Sequence, residues 1–480
     1  MKRRDFMKWA GGMTAAAALP RLTIGHPGTK DKPCIVLILI DDLGWSDLSC
    51  YGSSYYESPN VDRLAAQGMR FTDAYAACSV CSPTRASIMT GRYPARVGVT
   101  DWIRQPWQDP SFNRPPSEEC RLHCPENPRY MRLEEVTVAE ILRKAGYVTC
   151  HIGKWHLGQE DYFPEKQGFD INIGGCGLGW PPDYFDPYAN DQVSGISTLA
   201  PREKGEYLTD RLTDEAVKFI KDHKDRPFFL YLSHYAVHEP IQAKQELIKR
   251  YWTKEPSSTQ QNNVYAAMIH SVDMGTKRVL DILEKLNIAD KTLVIFTSDN
   301  GGQTGITSNF PLRWGKGTPY EGGVRVPLII RWPGHVLPGS ENQTPVTSTD
   351  YFPTILEAAG VDLPRDLALD GESLIPLLTR KGGLKRDTIF WNYPHYNSYR
   401  LGPYTSLRSG DWKMIKWYDS ETFELFNLKN DLSETTNLTK INPEQFRSMN
   451  LKIENWIRDL GIELPQPNPK FNPSARRVSK

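Results

Sequence analysis

Two polar pairs stand where apolar runs stop. Asp41 and Asp42 follow CIVLILI at 34–40, and Asp299 and Asn300 follow TLVIFTS at 292–298. Adjacent carboxylates repel one another unless a cation lies between them. Alone, Asp41–Asp42 reads equally well as a polar loop with a helix cap or as a hard-cation site. The second pair tips the balance, because it adds a carboxylate and a carbonyl oxygen. Oxygen donors without His or Cys favour Ca2+ or Mg2+ over zinc. A third feature is AYAACSVCSPTRASIMTGRYP at 74–94, in which Cys78 and Cys81 are three residues apart at the start of a helix-like segment. Such spacing suggests a metal clip or a redox pair, but no further His or Cys pair at ligand spacing lies nearby, which argues against zinc. Arg85 follows Cys81 by one helical turn and shares its face.

The elements that must position these groups are readable as an alternation. Continuous apolar runs at 34–40, 227–235, 292–298 and 326–332, with YVTCHIG at 147–153, fit strands buried on both faces. Between them, 58–68, 137–146 and 261–285 have helical periodicity or start and stop signals, and RFTDAYAA reads as a further strand. Strands alternating with helices predict an α/β fold, a mostly parallel sheet with helices on both faces. In such sheets ligands bind off the carboxyl ends of strands, where Asp41–Asp42, His238 and Asp299–Asn300 all fall. After residue 380 the texture changes to short, aromatic-rich alternating segments, which predict an antiparallel sheet, then a helix at 443–461 and a loose tail from Pro465.

Of 480 residues, 58 are basic and 57 acidic, a net charge of +1, so charge gives no argument for nucleic acid or an anionic membrane surface. The first residues, MKRRDFMKWAGGMTAAAALPRL, join Arg3–Arg4 to an Ala- and Gly-rich run too short and too weakly apolar to span a membrane. They resemble a bacterial twin-arginine export signal, which predicts a periplasmic or secreted protein.

Cys81-Ser82-Pro83-Thr84-Arg85 followed by Thr90-Gly91 is a C-x-P-x-R-x-x-x-x-T-G pattern, and it resembles the signature of the type I sulfatases. IDDLGWSDLSCYG, SPNVDRLAAQGMRFTDAY, GYVTCHIGKWHLG, VHEP, FTSDNGG, KGTPYEGGVRVP and FELFNLKNDLSETTNL are similar to further blocks of that family, in the family's order, from about residue 33 to about 460. The resemblance implies an alkaline-phosphatase-like α/β/α sandwich at 26–380, after a signal at 1–25, and a smaller C-terminal subdomain at 381–480. It implies that Cys81 is converted by a maturation enzyme to formylglycine; Cys78 does not fit, since Val80 stands where the proline would be. The chemical need is direct. An aldehyde hydrate carries two hydroxyls on one carbon, one to attack sulfur and the other to expel sulfate, whereas a plain serine or thiol would stay sulfated.

The resemblance further implies metal ligation by Asp41, Asp42, residue 81, Asp299 and Asn300, with Ca2+ expected and Mg2+ as the alternative. It assigns Arg85 to positioning residue 81, His156 to the nucleophile side, and Lys154, His238 and Lys316 to sulfate oxygens. For the sugar, three aromatic-rich stretches offer Asp101 and Trp102, Arg313, and His395. The expected activity is hydrolysis of a sulfate monoester on a galactose- or N-acetylgalactosamine-type glycan, in exo mode. A phosphonate or phosphate ester hydrolase of the same superfamily is the near alternative, and a sugar-binding protein without catalysis the distant one.

Overall fold

The computed structural model describes residues 32–108, 117–397, 399 and 401–474; the export-signal stretch lies outside them. Cys34–Ile40 (β1) is buried along its whole length because its alternate side chains enter two different cores. Val36, Ile38 and Ile40 pack with Leu212 and Val272 of the helices Leu208–Asp222 and Asn263–Lys285. Ile35, Leu37 and Leu39 pack with Ile88, Leu142 and Ile355 of the helices Cys81–Thr90, Val138–Lys144 and Tyr351–Ala358. Each such buried side chain contributes about 1.5–3 kcal/mol, which explains why the strand reads as an unbroken apolar run.

The other strands of this sheet are Met69–Phe71 (β2), Val148–Gly153 (β3), Ile171–Ile173 (β4), Phe228–Ser233 (β5), Thr292–Ser298 (β6), Leu328–Arg331 (β7) and Ser340–Asn342 (β8). Their order is β8-β2-β7-β6-β1-β5-β3-β4. The block β6-β1-β5-β3-β4 is parallel, while β7 runs antiparallel to both neighbours. The four central parallel strands therefore deliver Asp299, Asp41, the 234–238 turn and Lys154 to the same edge of the sheet. This is the mostly parallel α/β sandwich expected from the sequence.

A second sheet, Thr388–Tyr393 (β9), Tyr404–Ser409 (β10), Trp412–Trp417 (β11) and Thr422–Asn427 (β12), is an antiparallel meander. Trp391, Tyr404 and Ile415 press on Tyr75, Cys78, Val80 and Val324 of the larger unit. The opposite face is covered by Met449 and Ile453 of the helix Pro443–Leu460. Two expectations change. RFTDAYAA is split into Met69–Phe71 and Ala74–Tyr75, because the intervening Asp73 turns its carboxylate to Arg325 and Arg408 at 3.0 and 2.6 Å. The tail is not loose throughout: Gln466 and Pro467 pair with Leu122 and His123, and Asn468 donates to the Ser117 and Cys120 carbonyls.

The two units share a buried ion cluster. Lys413 Nζ, with no exposed side-chain surface, stands 2.8 Å from Glu321 and 3.0 Å from Glu434. Removing one partner of a buried pair costs about 3–5 kcal/mol, because the remaining charges stay buried. Lys413→Ala is thus expected to lower the melting temperature markedly in a thermal denaturation scan, and unchanged melting would contradict this role.

Candidate functional site

The carboxyl ends of β1 and β6 bring one oxygen each from Asp41, Asp42 and Asp299 within 4.8 Å of one another, all three buried. This crowding opposes ionisation. Burial first, then the neighbouring Asp299, pushes the Asp41 carboxyl well above the usual range, against the pull of Lys154 and Arg85. Asp42 is also opposed by burial, but Lys316 and His238 overcome it and hold its carboxyl low. Lys154 Nζ lies 2.6 Å from Asp41 Oδ2, and Lys316 Nζ 2.7 Å from Asp42 Oδ2. Arg85, on the helix Cys81–Thr90 and 1% exposed, donates through Nε to Asp299 Oδ2 at 2.9 Å and through Nη1 to Ser233 Oγ at 2.6 Å and the Lys154 carbonyl at 2.9 Å. Asp42 and His156 both adopt left-handed backbone, at φ 59°, a conformation that costs a non-glycine residue of order 1–3 kcal/mol and clusters at functional sites.

Two atoms of this cluster bear on a metal. Asp41 Oδ1 and Asn300 Oδ1 are buried and accept no hydrogen bond among the described residues, a rare state for such oxygens. Oxygen-only donors on three carboxylates and an amide fit a hard divalent cation. The residues present therefore fit the ion expected here: of the five expected ligands, Asp41, Asp42, Asp299 and Asn300 could offer it oxygen, and residue 81 would do so only as formylglycine.

Cys81 opens its helix with its thiol 3.3 Å from His156 Nδ1. His156 Nε2 is 2.8 Å from the Ile103 carbonyl. That oxygen only accepts, so Nε2 carries the proton and Nδ1 presents its lone pair to residue 81. Burial pushes the imidazole well below its ordinary pKa, aided by Lys154, so it stays neutral. Burial likewise raises the Cys81 thiol. His238 donates from Nδ1 to the Glu239 carbonyl at 2.8 Å and turns Nε2 toward Asp42 at 3.6 Å. Burial, then Lys316, lowers it to about 3.

Glycines bind the two halves of the rim. A Cβ at Gly301 would stand 1.8 Å from the Gly322 carbonyl oxygen, and Gly301 N–H donates to Gly323 at 3.0 Å. The loop carrying Lys316 can lie against the end of β6 only because Gly301 lacks a side chain, and that loop can fold back on itself because Gly322 does, since a Cβ there would stand 2.3 Å from the Trp314 carbonyl oxygen. Glu321 and Arg325, 3.3 Å apart, brace that loop, together with Lys413.

A cavity of about 550 Å3 opens above these groups. Cys81, His156, His238 and Lys316 line it, whereas Arg85 and Lys154 lie beneath, buried against the carboxylates. Of the four residues expected to meet a sugar, Trp102 lines the cavity. The other three do not line it. Asp101 is wholly buried and accepts from Tyr393 Oη at 2.7 Å and from Arg104 at 2.9 Å. His395, also buried, meets Thr100 Oγ1 at 2.8 Å. Arg313 lies 4.0 Å over the Tyr320 ring and donates to the Glu434 carbonyl, so it ties the Lys316 loop to the small sheet. Sequence reading passed over Arg104, Trp180, Asn397 and Tyr399, which do line the cavity. Arg104 sat in the GVTDWIRQPW stretch, and Asn397 and Tyr399 in NYPHYNSYR at 392–400, stretches that drew attention to their neighbours; Trp180 carries no local signal, because a distant loop brings it in.

Comparison with known proteins matches this geometry. The sulfatase family model covers residues 33–361. This chain belongs to the sulfatase family. As a member it is a sulfuric ester hydrolase on an alkaline-phosphatase-like fold. The model for the C-terminal part of N-sulphoglucosamine sulphohydrolase covers 313–461, and the twin-arginine signal model covers 1–20, which marks the sulfatase for export across a membrane. A sulfatase of Formosa agariphila is 38% identical over 94% of this chain and 92% of its own length. Human N-acetylgalactosamine-6-sulfatase is 34% identical over 87% and 78%. The crystal structure of Ps i-CgsB in complex with k-i-k-neocarrahexaose superposes with a TM-score of 0.75 at 31% identity, over 88% of this chain and 92% of that one. Among the described residues no helix is long and apolar enough to cross a membrane.

The metal fit has a direct test. Ca2+ at about 100 times its dissociation constant should stabilise the fold by about 2.7 kcal/mol, seen as a rise in melting temperature that chelation reverses. Asp299→Ala should abolish that rise. A wild-type melting temperature indifferent to both Ca2+ and Mg2+ would refute the site.

Proposed function

We propose that this sulfatase removes sulfate from a sulfated glycan, of the galactose or N-acetylgalactosamine type and in exo mode, using a formylglycine formed from Cys81 and a Ca2+ ion, with Mg2+ as the alternative. The observation that carries the reading is the placement of Cys81, of the two neighbouring cysteines, in the wall of a cavity beside a three-carboxylate cluster in which two buried oxygens, Asp41 Oδ1 and Asn300 Oδ1, accept no hydrogen bond among the described residues. The sugar class is supported by relatives named for N-acetylgalactosamine 6-sulfate and by a neighbour that holds a carrageenan-type hexaose. The reading takes 26–380 as the catalytic unit and 381–480 as a subdomain that braces it.

The cation would supply positive charge against the sulfuryl oxygens, and the hydrated aldehyde at position 81 would supply one hydroxyl for attack and another for release of sulfate. The chain's own groups do the rest. His156 Nδ1 faces residue 81 with its lone pair held in place by the Ile103 carbonyl, so it is positioned to hold a proton from that residue. Lys316, which lines the cavity, is the donor for sulfate oxygens, and His238 beside it can donate to the leaving-group oxygen only when its Nε2 is also protonated. Arg85 and Lys154 act one layer below, where they fix Asp299 and Asp41. Maturation must precede burial of Cys81, which is 4% exposed in the folded chain. A twin-arginine route exports folded protein, so the formylglycine-generating enzyme would act in the cytoplasm before export to the periplasm or the medium.

Release of sulfate from a panel of defined sulfated sugars, beside an aryl sulfate and an aryl phosphonate, tests the reading; faster phosphonate turnover would replace it with the alternative hydrolase. In a native-host sample, intact mass of the 74–94 peptide should show the loss expected when a thiol becomes an aldehyde. Cys81→Ala should abolish turnover with the melting curve intact, whereas Cys78→Ala should cost stability, because Cys78 packs between Val80 and Tyr404. Loss of turnover from a well-folded Cys78→Ala protein would mean that the wrong cysteine has been chosen.

A further inference from the structure

Trp314 is a large apolar side chain that the fold leaves in solvent, 45% exposed and two residues before Lys316. Single exposed aromatics are ordinary, but this one is held in an unfavourable conformation. Its backbone is left-handed at φ 58°, as at Asp42 and His156. Bulky residues rarely adopt this conformation, and it clusters at functional sites. The neighbouring chain imposes it. The Arg313 carbonyl accepts from the Gly322 N–H at 3.0 Å, and the Lys316 N–H donates to the Gly302 carbonyl at 3.0 Å. The Trp314 carbonyl oxygen fits only because Gly322 has no Cβ, which would stand 2.3 Å from it. The turn that fixes Lys316 therefore also fixes where the Trp314 ring leaves the loop.

A second ring meets it from the C-terminal part of the chain. Tyr399 and Trp314 have ring centroids 6.3 Å apart and planes inclined at 63°. Rings so inclined form a corner rather than a closed stack, and Tyr399 too keeps 36% of its surface open. Tyr399 lines the cavity and Trp314 does not, so the pair is a ledge that leads from the cavity to the surface. Asn397 fixes the joint. Its Nδ2 donates to the Gly317 carbonyl at 2.5 Å, and its Oδ1 accepts the Tyr399 N–H at 3.0 Å. The Tyr399 ring lies over Gly317, where a Cβ would come within 3.4 Å of it. Gly317 follows Lys316, so the ledge begins one residue from the cation that answers Asp42.

We propose that Trp314 and Tyr399 form a stacking subsite for an uncharged sugar ring, the one joined to the sugar that bears the scissile sulfate. The proposal rests on the sulfatase reading and deepens it: the preferred substrate is an oligosaccharide rather than a monosaccharide. A pyranose presents a face of C–H bonds that packs on an aromatic ring, while its hydroxyls remain in water at an open ledge. Neither ring carries a charge, so the ledge recognises apolar sugar surface and needs no second sulfate. The ester itself goes to the cavity beside Lys316.

The test compares kcat/KM on galactose 6-sulfate and N-acetylgalactosamine 6-sulfate, each as the monosaccharide and as the non-reducing end of a trisaccharide whose other rings are uncharged. Wild-type enzyme should favour the trisaccharide by about tenfold in at least one series, with the gain in KM. Trp314→Gly removes the ring while suiting the left-handed backbone, and the ratio of trisaccharide to monosaccharide should fall toward one. A merely structural role for Trp314 would lower turnover of both substrates alike and leave the ratio in place. Tyr399→Ala, on the other element, should lower the same ratio, so the test survives a poorly folded Trp314→Gly protein. A wild-type ratio near one in both series, or a ratio unchanged in either folded variant, overturns the ledge while sulfate release from the monosaccharides still upholds the sulfatase. Failure to hydrolyse any sulfate ester, 4-nitrophenyl sulfate included, overturns both.

Discussion

Three carboxylates held together in the dry end of a sheet are the constraint to which the rest of the molecule answers. Two like charges 4 Å apart repel by about 4 kcal/mol at the effective dielectric of a protein, and Asp41, Asp42 and Asp299 are packed closely enough to feel this in all three pairings. No fold would keep them so without compensation. Arg85, Lys154 and Lys316 supply part of it, and each arrives from a different element: the helix after Cys81, the end of Val148–Gly153 and the loop before Glu321. Asp41 Oδ1 and Asn300 Oδ1, which accept no hydrogen bond among the described residues, are the oxygens a divalent cation would take as the remaining part.

That constraint explains features that look unrelated. Gly301 and Gly322 lack side chains so that the Lys316 loop can reach Asp42. Glu321, Arg325 and Lys413 then hold the loop from behind, and Lys413 belongs to the small antiparallel sheet. The C-terminal part of the chain therefore contributes to the site without lining most of it: it fixes where one cation stands. Tyr393, Asn397 and Tyr399 are its more direct share, as part of the cavity wall.

Much of this was legible in the chain. Runs such as CIVLILI announce strands buried on both faces, since only such strands tolerate apolar residues at every position, and the polar pairs after 34–40 and 292–298 fall at the same edge of the sheet. The motif around Cys81 separated it from Cys78, and Cys78 indeed packs in the core beneath the small sheet. The sugar-facing residues were less legible. Asp101, Trp102 and Arg104 are consecutive or nearly so, yet one faces into the protein and two face the cavity, because the backbone at Ile103 is pinned to Ser82 and His156. His395 and Arg313 have the chemistry of substrate contacts but are spent on Thr100, Tyr320 and Glu434.

The sequence by itself determined the fold class and the export signal, and it offered four oxygen-bearing residues and one cysteine as candidates for the site, because each is written in contiguous residues: periodicity, an N-terminal charge pattern, a strand-end pair, a spaced motif. Only the tertiary structure decided which cations answer which carboxylates, that Lys154 and Arg85 lie beneath the cavity rather than in its wall, and that Trp102 lines the cavity while Asp101 is buried behind it. These outcomes depend on which side chains meet across separations of tens to hundreds of residues, and on which charges burial leaves without a better partner. Neither is a property of any stretch of chain taken alone.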